Sequence, residues 1–144
     1  MTSSRLSLAP LSACLLLLAG AAGCKPSSDA GKTIVLGVPT ALGAIEGADS
    51  LRAAQLAVNE INAAGGVEVG GSRRKLEIAS IDTRESEAGV PVNDALAAME
   101  KLLGERRPAA IVVGSFRSEV LLSAMDMIAK VKIPYLCTIA MSPH

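Results

Sequence analysis

Hydrophobic positions along the chain alternate between short continuous runs and longer stretches with helical spacing. Residues 33–38 and 109–114 are apolar at nearly every position, which is typical of parallel strands buried on both faces. Residues 75–82 instead alternate between apolar and polar side chains, which indicates a strand at one edge of a sheet. Residues 134–138 form a fourth short run. The pattern therefore predicts four strands.

Three stretches between these strands repeat apolar residues every three or four positions, as amphipathic helices do. The first stretch ends at Gly65 and Gly66, and the second ends near Gly104 and Pro108, which are helix stop signals. The apolar positions of the three predicted helices are, in order, Leu51, Ala54, Val58 and Ile61; Ala95, Met99 and Leu102; and Val120 or Leu121, Ala124, Met125 and Ile128. The element order is therefore β-α-β-α-β-α-β.

Right-handed crossovers between such units give a parallel sheet with helices on both faces. We expect an α/β fold with three layers and a doubly wound sheet, in which the predicted strands lie in the order 2-1-3-4. Ligands of such sheets bind at the carboxyl ends of the strands that flank the reversal of direction. This rule selects two loops, residues 39–47 after the first strand and residues 114–119 after the third.

The second selected loop has the chemistry of an anion site. Backbone N–H groups at a helix start, together with the Ser118 hydroxyl and the Arg117 guanidinium, suit a small carboxylate. Ser118 could also cap the helix, and the two roles are compatible. Asp82, at the end of the second strand, could bind a cation or the ligand, although a turn or cap role in a solvated charged loop is the simpler interpretation.

Composition excludes several classes of function. The 144 residues carry 14 basic and 14 acidic side chains, so the chain lacks the basic field that nucleic acid requires. It has no Trp, one Tyr, one Phe and one His, which argues against a base-stacking platform, a histidine metal site and a Ser/His/Asp triad. We expect no catalytic residue, metal or cofactor. Cys137, within an apolar run, is predicted to be a buried small side chain.

Residues 1–23 have the pattern of an export signal. Arg5 provides a positive start, and the apolar run over residues 6–20 is shorter than the roughly 20 residues of a membrane span. Small residues then precede Cys24, and a polar tether continues to residue 31. This arrangement resembles a bacterial lipoprotein lipobox, which implies cleavage before Cys24 and lipid on its sulfur. An ordinary secretory signal is the alternative.

Three blocks of sequence carry a family resemblance. Residues 53–67 read Ala-Ala-Gln-Leu-Ala-Val-Asn-Glu-Ile-Asn-Ala-Ala-Gly-Gly-Val, residues 112–114 read Val-Val-Gly with Ser118 four residues later, and residues 134–143 read Pro-Tyr-Leu-Cys-Thr-Ile-Ala-Met-Ser-Pro. They resemble the G-x-x-L-A-V-x-x-I-N-x-x-G-G-V, V-G-P-x-x-S and P-F-I-S-T-G-A-T-S-P segments of type I periplasmic solute-binding proteins. The likeness is strongest to the amino-terminal lobe of the branched-chain amino acid receptors of ABC transporters.

The resemblance implies a receptor without chemistry of its own. Such a protein is an extracytoplasmic, membrane-anchored lipoprotein that captures a small polar solute, amino acid-like or another carboxylate, between two lobes and delivers it to an ABC permease. Residues 32–144 would then form a partial ligand-binding lobe, apparently truncated within the strand-4 ligand loop. A regulatory lipoprotein of the same fold, sensing a ligand to control a membrane receptor or cell-wall enzyme, is the alternative.

The resemblance also implies site residues. In the family, the Ser four residues after the strand-3 Gly binds the ligand carboxylate, and Ser118 occupies that position. Arg117 precedes it where a small residue is common.

The strand-4 loop of the family offers an Ala carbonyl and a Thr hydroxyl to the amino acid head group. Ala140 and Met141 occupy these two positions, with Thr138 in the same loop. Met141 has no hydroxyl, and Glu46 stands where the family often has an aromatic at the ligand mouth. These differences predict a changed ligand, one carrying a positive group that meets Glu46.

Overall fold

The computed structural model describes residues 33–140, so the predicted export signal, Cys24 and Met141 lie outside the described residues. The elements are β1 (Ile34–Thr40), α1 (Ile45–Ala63), β2 (Val67–Val69), β3 (Ser72–Arg74), β4 (Leu76–Asp82), α2 (Val92–Arg106), β5 (Ala110–Ile111) and α3 (Ser118–Val131). None of these helices is long and apolar enough to cross a bilayer.

The main sheet is parallel and has the order β4-β1-β5. In the β1–β4 pair, Ile34 lies opposite Leu76 at one end and Thr40 lies opposite Asp82 at the other. A parallel bridge between Ile111 and Tyr135 adds the last predicted strand beyond β5. The predicted order 2-1-3-4 is thereby confirmed, and β4 is an edge strand of this sheet.

The last two strands are shorter than the hydrophobic runs predicted. β5 has two residues, because the backbone bends at Val112 and Val113, and the fourth strand is reduced to the bridge at Tyr135. The prediction that Cys137 is buried was wrong, because the segment leaves the sheet after Tyr135 and exposes the thiol.

Helices cover both faces of the sheet, as a doubly wound fold requires. On one face, α2 packs against α3 and against the sheet, with Ala79, Leu102 and Ile111 at the centre of the core. On the other face, α1 lies across β1 and β4. An open apolar groove of about 350 Å³ remains beside α1, and its lining includes Leu36, Val58, Ile78 and Val112.

A hairpin between α1 and β4 was not predicted. β2 and β3 pair antiparallel, with Val67 opposite Arg74, and the connecting residues Gly70 and Gly71 have φ angles of 59° and 77°. Positive φ at both central residues is the geometry of a tight hairpin turn and favours glycine. The Gly-Gly pair was therefore the available sequence signal.

Asn62 joins the end of α1 to the start of β4. Its Nδ2 donates to the Leu76 carbonyl, and the Leu76 N–H donates to its Oδ1, both at 2.8 Å. The side-chain amide therefore pairs with Leu76 as a residue of a neighbouring strand would. After Asn62 the chain turns at Gly66, where an added Cβ would lie 2.1 Å from the Arg74 carbonyl oxygen.

Helix α2 continues beyond the glycine that was predicted to stop it. Gly104 lies inside the helix, which ends at Arg106, and Arg107 adopts the left-handed conformation with φ 43°. The chain therefore leaves the helix just before Pro108, which cannot continue it.

Candidate functional site

The carboxyl ends of β1, β4 and β5 point to the same edge of the sheet because the three strands are parallel. Three buried oxygen atoms at this edge, Thr40 Oγ1, Thr83 Oγ1 and Glu85 Oε1, have no hydrogen-bond partner among residues 33–140. Buried polar atoms are rarely left unpaired in proteins, so each of the three requires an explanation, and a functional role is one. This edge is therefore the candidate site.

Asp82 connects the two loops that follow β1 and β4. Its Oδ1 accepts hydrogen bonds from the N–H groups of Leu42 and Arg84, each at 3.0 Å. These bonds are those of a turn residue, as the simpler sequence interpretation held. The carboxylate thereby holds the start of one loop against the start of the other.

The loop after β4 is only partly solvated, which corrects the sequence interpretation. Thr83 and Glu85 are 1% and 2% exposed, whereas Arg84 and Glu87 are exposed. Glu85 Oε2 accepts a hydrogen bond of 2.7 Å from the Arg117 N–H, immediately before α3. Sequence reasoning missed Glu85, because a Thr-Arg-Glu-Ser-Glu segment carries no pattern that distinguishes its one buried carboxylate.

Arg84 and Glu87 form a pair on the outside of this loop. Arg84 Nε lies 3.0 and 3.1 Å from the two Glu87 carboxylate oxygens, and Nη2 lies 2.6 Å from Oε2. The hydrogen bond and charge of Glu87 raise the pKa of Arg84, and the hydrogen bond from Arg84 lowers the pKa of Glu87. Both groups are exposed, so their pairing contributes little to stability.

Residues 114–117, which we name the α3 loop, are held beneath the ring of Tyr135. The Ser115 N–H donates to Tyr135 Oη at 2.9 Å, and Ser115 Oγ lies 3.1 Å from the same oxygen. An added Cβ at Gly114 would lie 2.5 Å from Tyr135 Cε1, so the close approach of the ring requires glycine. Burial raises the pKa of the Tyr135 hydroxyl above its usual value, although the bonds from Ser115 oppose that shift.

The predicted anion-site residues lie next to each other at the start of α3. Ser118 is the first residue of the helix and is half-buried, and Arg117 occupies the N-cap position. The Arg117 guanidinium forms an ion pair with Glu119 and donates to the Val90 carbonyl oxygen at 3.3 Å. The positive charge of Arg117 is therefore partly neutralised within the protein.

The other predicted site residues lie on different elements. Glu46 is exposed in the first turn of α1, where a carboxylate suits the helix dipole. Thr138 is exposed and lines the apolar groove beside α1, and Ala140 is half-buried. Across residues 33–140, no three His, Cys, Asp or Glu side chains are grouped so that they could hold a metal ion.

Several solved structures, including two substrate-binding proteins, resemble this one. The branched-chain amino acid transporter substrate-binding protein LivJ from Streptococcus pneumoniae, in complex with isoleucine, matches with a TM-score of 0.61 and 27% identity over 78% of this chain. An ABC transporter substrate-binding protein from Sphaerobacter thermophilus has the same fold, with a TM-score of 0.58 and 22% identity over 76% of this chain. The chain spans only 30% and 27% of the lengths of these two proteins.

A comparison with curated proteins finds no match. A family model described as periplasmic binding protein matches residues 35–144, which include every described strand and helix except the first residue of β1. The chain therefore belongs to the periplasmic binding protein family, and its parallel sheet is that of the type I fold.

Proposed function

We propose that the chain is part of the extracytoplasmic solute receptor of an ABC importer and forms its amino-terminal lobe. A small polar solute, amino acid-like or another carboxylate, is captured between this lobe and a second one, which closes over it and docks on the permease. The observation that carries the proposal is the carboxyl edge of the sheet, where Glu85 binds the backbone at the start of α3 and three buried oxygen atoms have no hydrogen-bond partner among residues 33–140. The isoleucine bound to LivJ supports this class of solute.

The charges at this edge favour a solute with two different ends. Backbone donors and Ser118 at the start of α3 suit a carboxylate, since a helix N-terminus attracts negative charge. Glu46, exposed at the start of α1, suits a positive group. We therefore propose a solute that combines a carboxylate with a positively charged group.

Ser118→Ala tests the carboxylate end. A hydrogen bond to a charged group contributes about 1.5–3 kcal/mol, so the affinity of the full-length protein for L-isoleucine or L-arginine should fall about 10- to 100-fold. Ser123→Ala is the matched control, because Ser123 lies exposed in the same helix and its hydroxyl donates to the Glu119 carbonyl of that helix. Calorimetric titration measures both. Equal affinity of wild type and Ser118→Ala would remove Ser118 from the site.

Glu46→Gln tests the positive end. This substitution should weaken binding of L-arginine selectively and leave L-isoleucine binding nearly unchanged, because only L-arginine has a positively charged side chain that could meet Glu46. Glu60→Gln, an exposed change at the other end of α1, is the control. An unchanged preference between the two amino acids in Glu46→Gln would contradict the proposed role.

Cys24, which lies outside the described residues, is the proposed lipid attachment site. Cys24→Ser should move the protein from the membrane fraction to the soluble fraction and remove the mass of the lipid from the mature N-terminus. Cys137→Ser should change neither result, because that thiol belongs to the folded part. A Cys24→Ser protein that stays with the membrane would contradict a lipid anchor at this residue.

Uptake of labelled solute by cells that lack the gene tests the importer role itself. Loss of uptake would support transport. Normal uptake combined with a changed response to the solute would favour the regulatory alternative.

A further inference from the structure

Two side chains from different segments bind the backbone of the α3 loop. Tyr135, from the segment after α3, accepts a hydrogen bond from the Ser115 N–H at 2.9 Å. Glu85, from the loop after β4, accepts one from the Arg117 N–H at 2.7 Å. Two of the four N–H positions in the loop are therefore bonded to side chains that are 20 and 32 residues away in sequence.

If Glu85 only filled space, a carboxylate would be an unusual side chain at this buried position. It is 2% exposed, and its second oxygen, Oε1, has no partner among residues 33–140. A buried carboxylate with incomplete hydrogen bonding is unfavourable, although the adjacent N-terminus of α3 offsets part of that cost. The hydrogen bond from the Arg117 N–H to Glu85 therefore requires an explanation in terms of the loop.

Tyr135 holds the other end of the same loop. Its ring covers Gly114 so closely that no side chain fits there, and its hydroxyl contacts both the N–H and the Oγ of Ser115, which is fully buried. The negative charge of Glu85 also contributes to the raised pKa of Tyr135, so the two groups act on each other across the loop.

We propose that Glu85 and Tyr135 are positioning residues that clamp the α3 loop from two sides before solute arrives. The clamp keeps Ser118 and the remaining backbone donors pointing in one direction, so solute binding need not order them. The clamp itself is a property of the fold. Its effect on solute binding rests on the function proposed above.

Amide hydrogen exchange of the full-length protein tests the clamp directly. Tyr135→Phe keeps the ring over Gly114 but loses the hydroxyl, so the Ser115 amide should exchange about tenfold faster or more. Glu85→Ala should do the same to the Arg117 amide. Glu85→Gln should restore slow exchange at Arg117, because its amide oxygen can accept the same bond. Amides of β1 report global stability and should stay unchanged in all three variants.

The ionisation of Tyr135, followed by NMR of a ¹³C-labelled tyrosine ring, tests the electrostatic influence of Glu85 on Tyr135. Glu85→Gln removes a buried negative charge and should lower the pKa of Tyr135. Glu87→Gln removes an exposed charge and should leave it unchanged. The Tyr135→Phe variant identifies the signal.

Titration with L-isoleucine connects the clamp to binding. Tyr135→Phe and Glu85→Ala should each weaken affinity about tenfold, the change expected if one further backbone residue must be ordered on binding. Glu85→Gln should bind nearly as wild type does. A wild-type protein that binds neither L-isoleucine nor L-arginine would contradict the proposed solute class. The amide and ring measurements would still show whether the clamp exists. The clamp would be overturned if the Ser115 and Arg117 amides exchanged fast in the wild-type protein. It would also be overturned if Tyr135→Phe and Glu85→Ala left their exchange unaffected.

Discussion

Gly47 and Gly104 both lie inside helices, yet replacing each with alanine should change stability in opposite directions. Alanine is favoured over glycine in a helix by about 0.5–1 kcal/mol. An added Cβ at Gly104 has no atom within 4 Å, so Gly104→Ala should raise the free energy of unfolding by about that amount. An added Cβ at Gly47 would lie 2.1 Å from the Ala41 carbonyl oxygen, a distance at which the backbone must move.

The Ala41 oxygen has little freedom to move, because it accepts a hydrogen bond of 3.2 Å from the Ala44 N–H. Overpacking of this kind costs about 1–3 kcal/mol, which exceeds the helix gain at Gly47 in most of that range. We therefore expect Gly47→Ala to be destabilised by about 1–2 kcal/mol. The helix gain is common to both variants, so they should differ in unfolding free energy by the overpacking cost, about 1–3 kcal/mol.

Urea denaturation followed by circular dichroism measures this difference. The two variants should have equal m-values, so that the midpoints alone report stability. If Gly47→Ala proved as stable as Gly104→Ala, the contact between α1 and the loop after β1 would not be a rigid one. The loop after β1 would then not be a fixed boundary of the candidate site.

Three further predictions concern stability. Asn62→Ala should lower the free energy of unfolding by about 1–3 kcal/mol, since two hydrogen bonds of about 0.5–1.5 kcal/mol each are lost. Asn59→Ala, on the exposed side of the same helix, should have little effect in the same urea assay. Arg107→Gly should raise the free energy of unfolding by up to about 1 kcal/mol, because a left-handed φ of 43° strains any residue with a Cβ, and Arg107→Ala should not. Burial raises the pKa of Tyr135 in the folded state, so the free energy of unfolding should fall above about pH 10, where an unfolded tyrosine ionises. Tyr135→Phe should reduce this fall, measured as urea midpoints from pH 9 to 11.

The topology could be predicted because it depends on properties that the sequence displays directly. Buried parallel strands such as β1 are apolar on both faces, and the right-handed crossover rule leaves few arrangements of four such strands. The position of the site followed from the same topology, since the reversal at β1 identifies two loops. The lengths of β5 and of the last strand did not follow, because the bends at Val112 and Val113 depend on how Tyr135 packs over Gly114.

The contacts within the site could not be predicted from local sequence. Glu85 and Arg117 are 32 residues apart, and the charged segment around Glu85 resembles a solvated loop in composition. Only the position of α3 relative to the end of β4 makes that carboxylate a buried one. Cys137 shows the opposite case, because an apolar neighbourhood in sequence became an exposed segment once the strand ended early.

The hydrogen bonds between Asn62 and Leu76 affect whether molecules of this protein associate through the edge strand β4. The Lys75 carbonyl oxygen accepts a hydrogen bond of 2.9 Å from the Ile34 N–H of β1, so the N–H and carbonyl of Leu76, the next residue, point away from β1. An edge strand with unpaired N–H and carbonyl groups can pair with a strand from a second molecule. A strand that approached β4 at Leu76 would first have to displace both hydrogen bonds of Asn62. One side-chain amide at the end of α1 thus blocks edge-to-edge association where β4 begins.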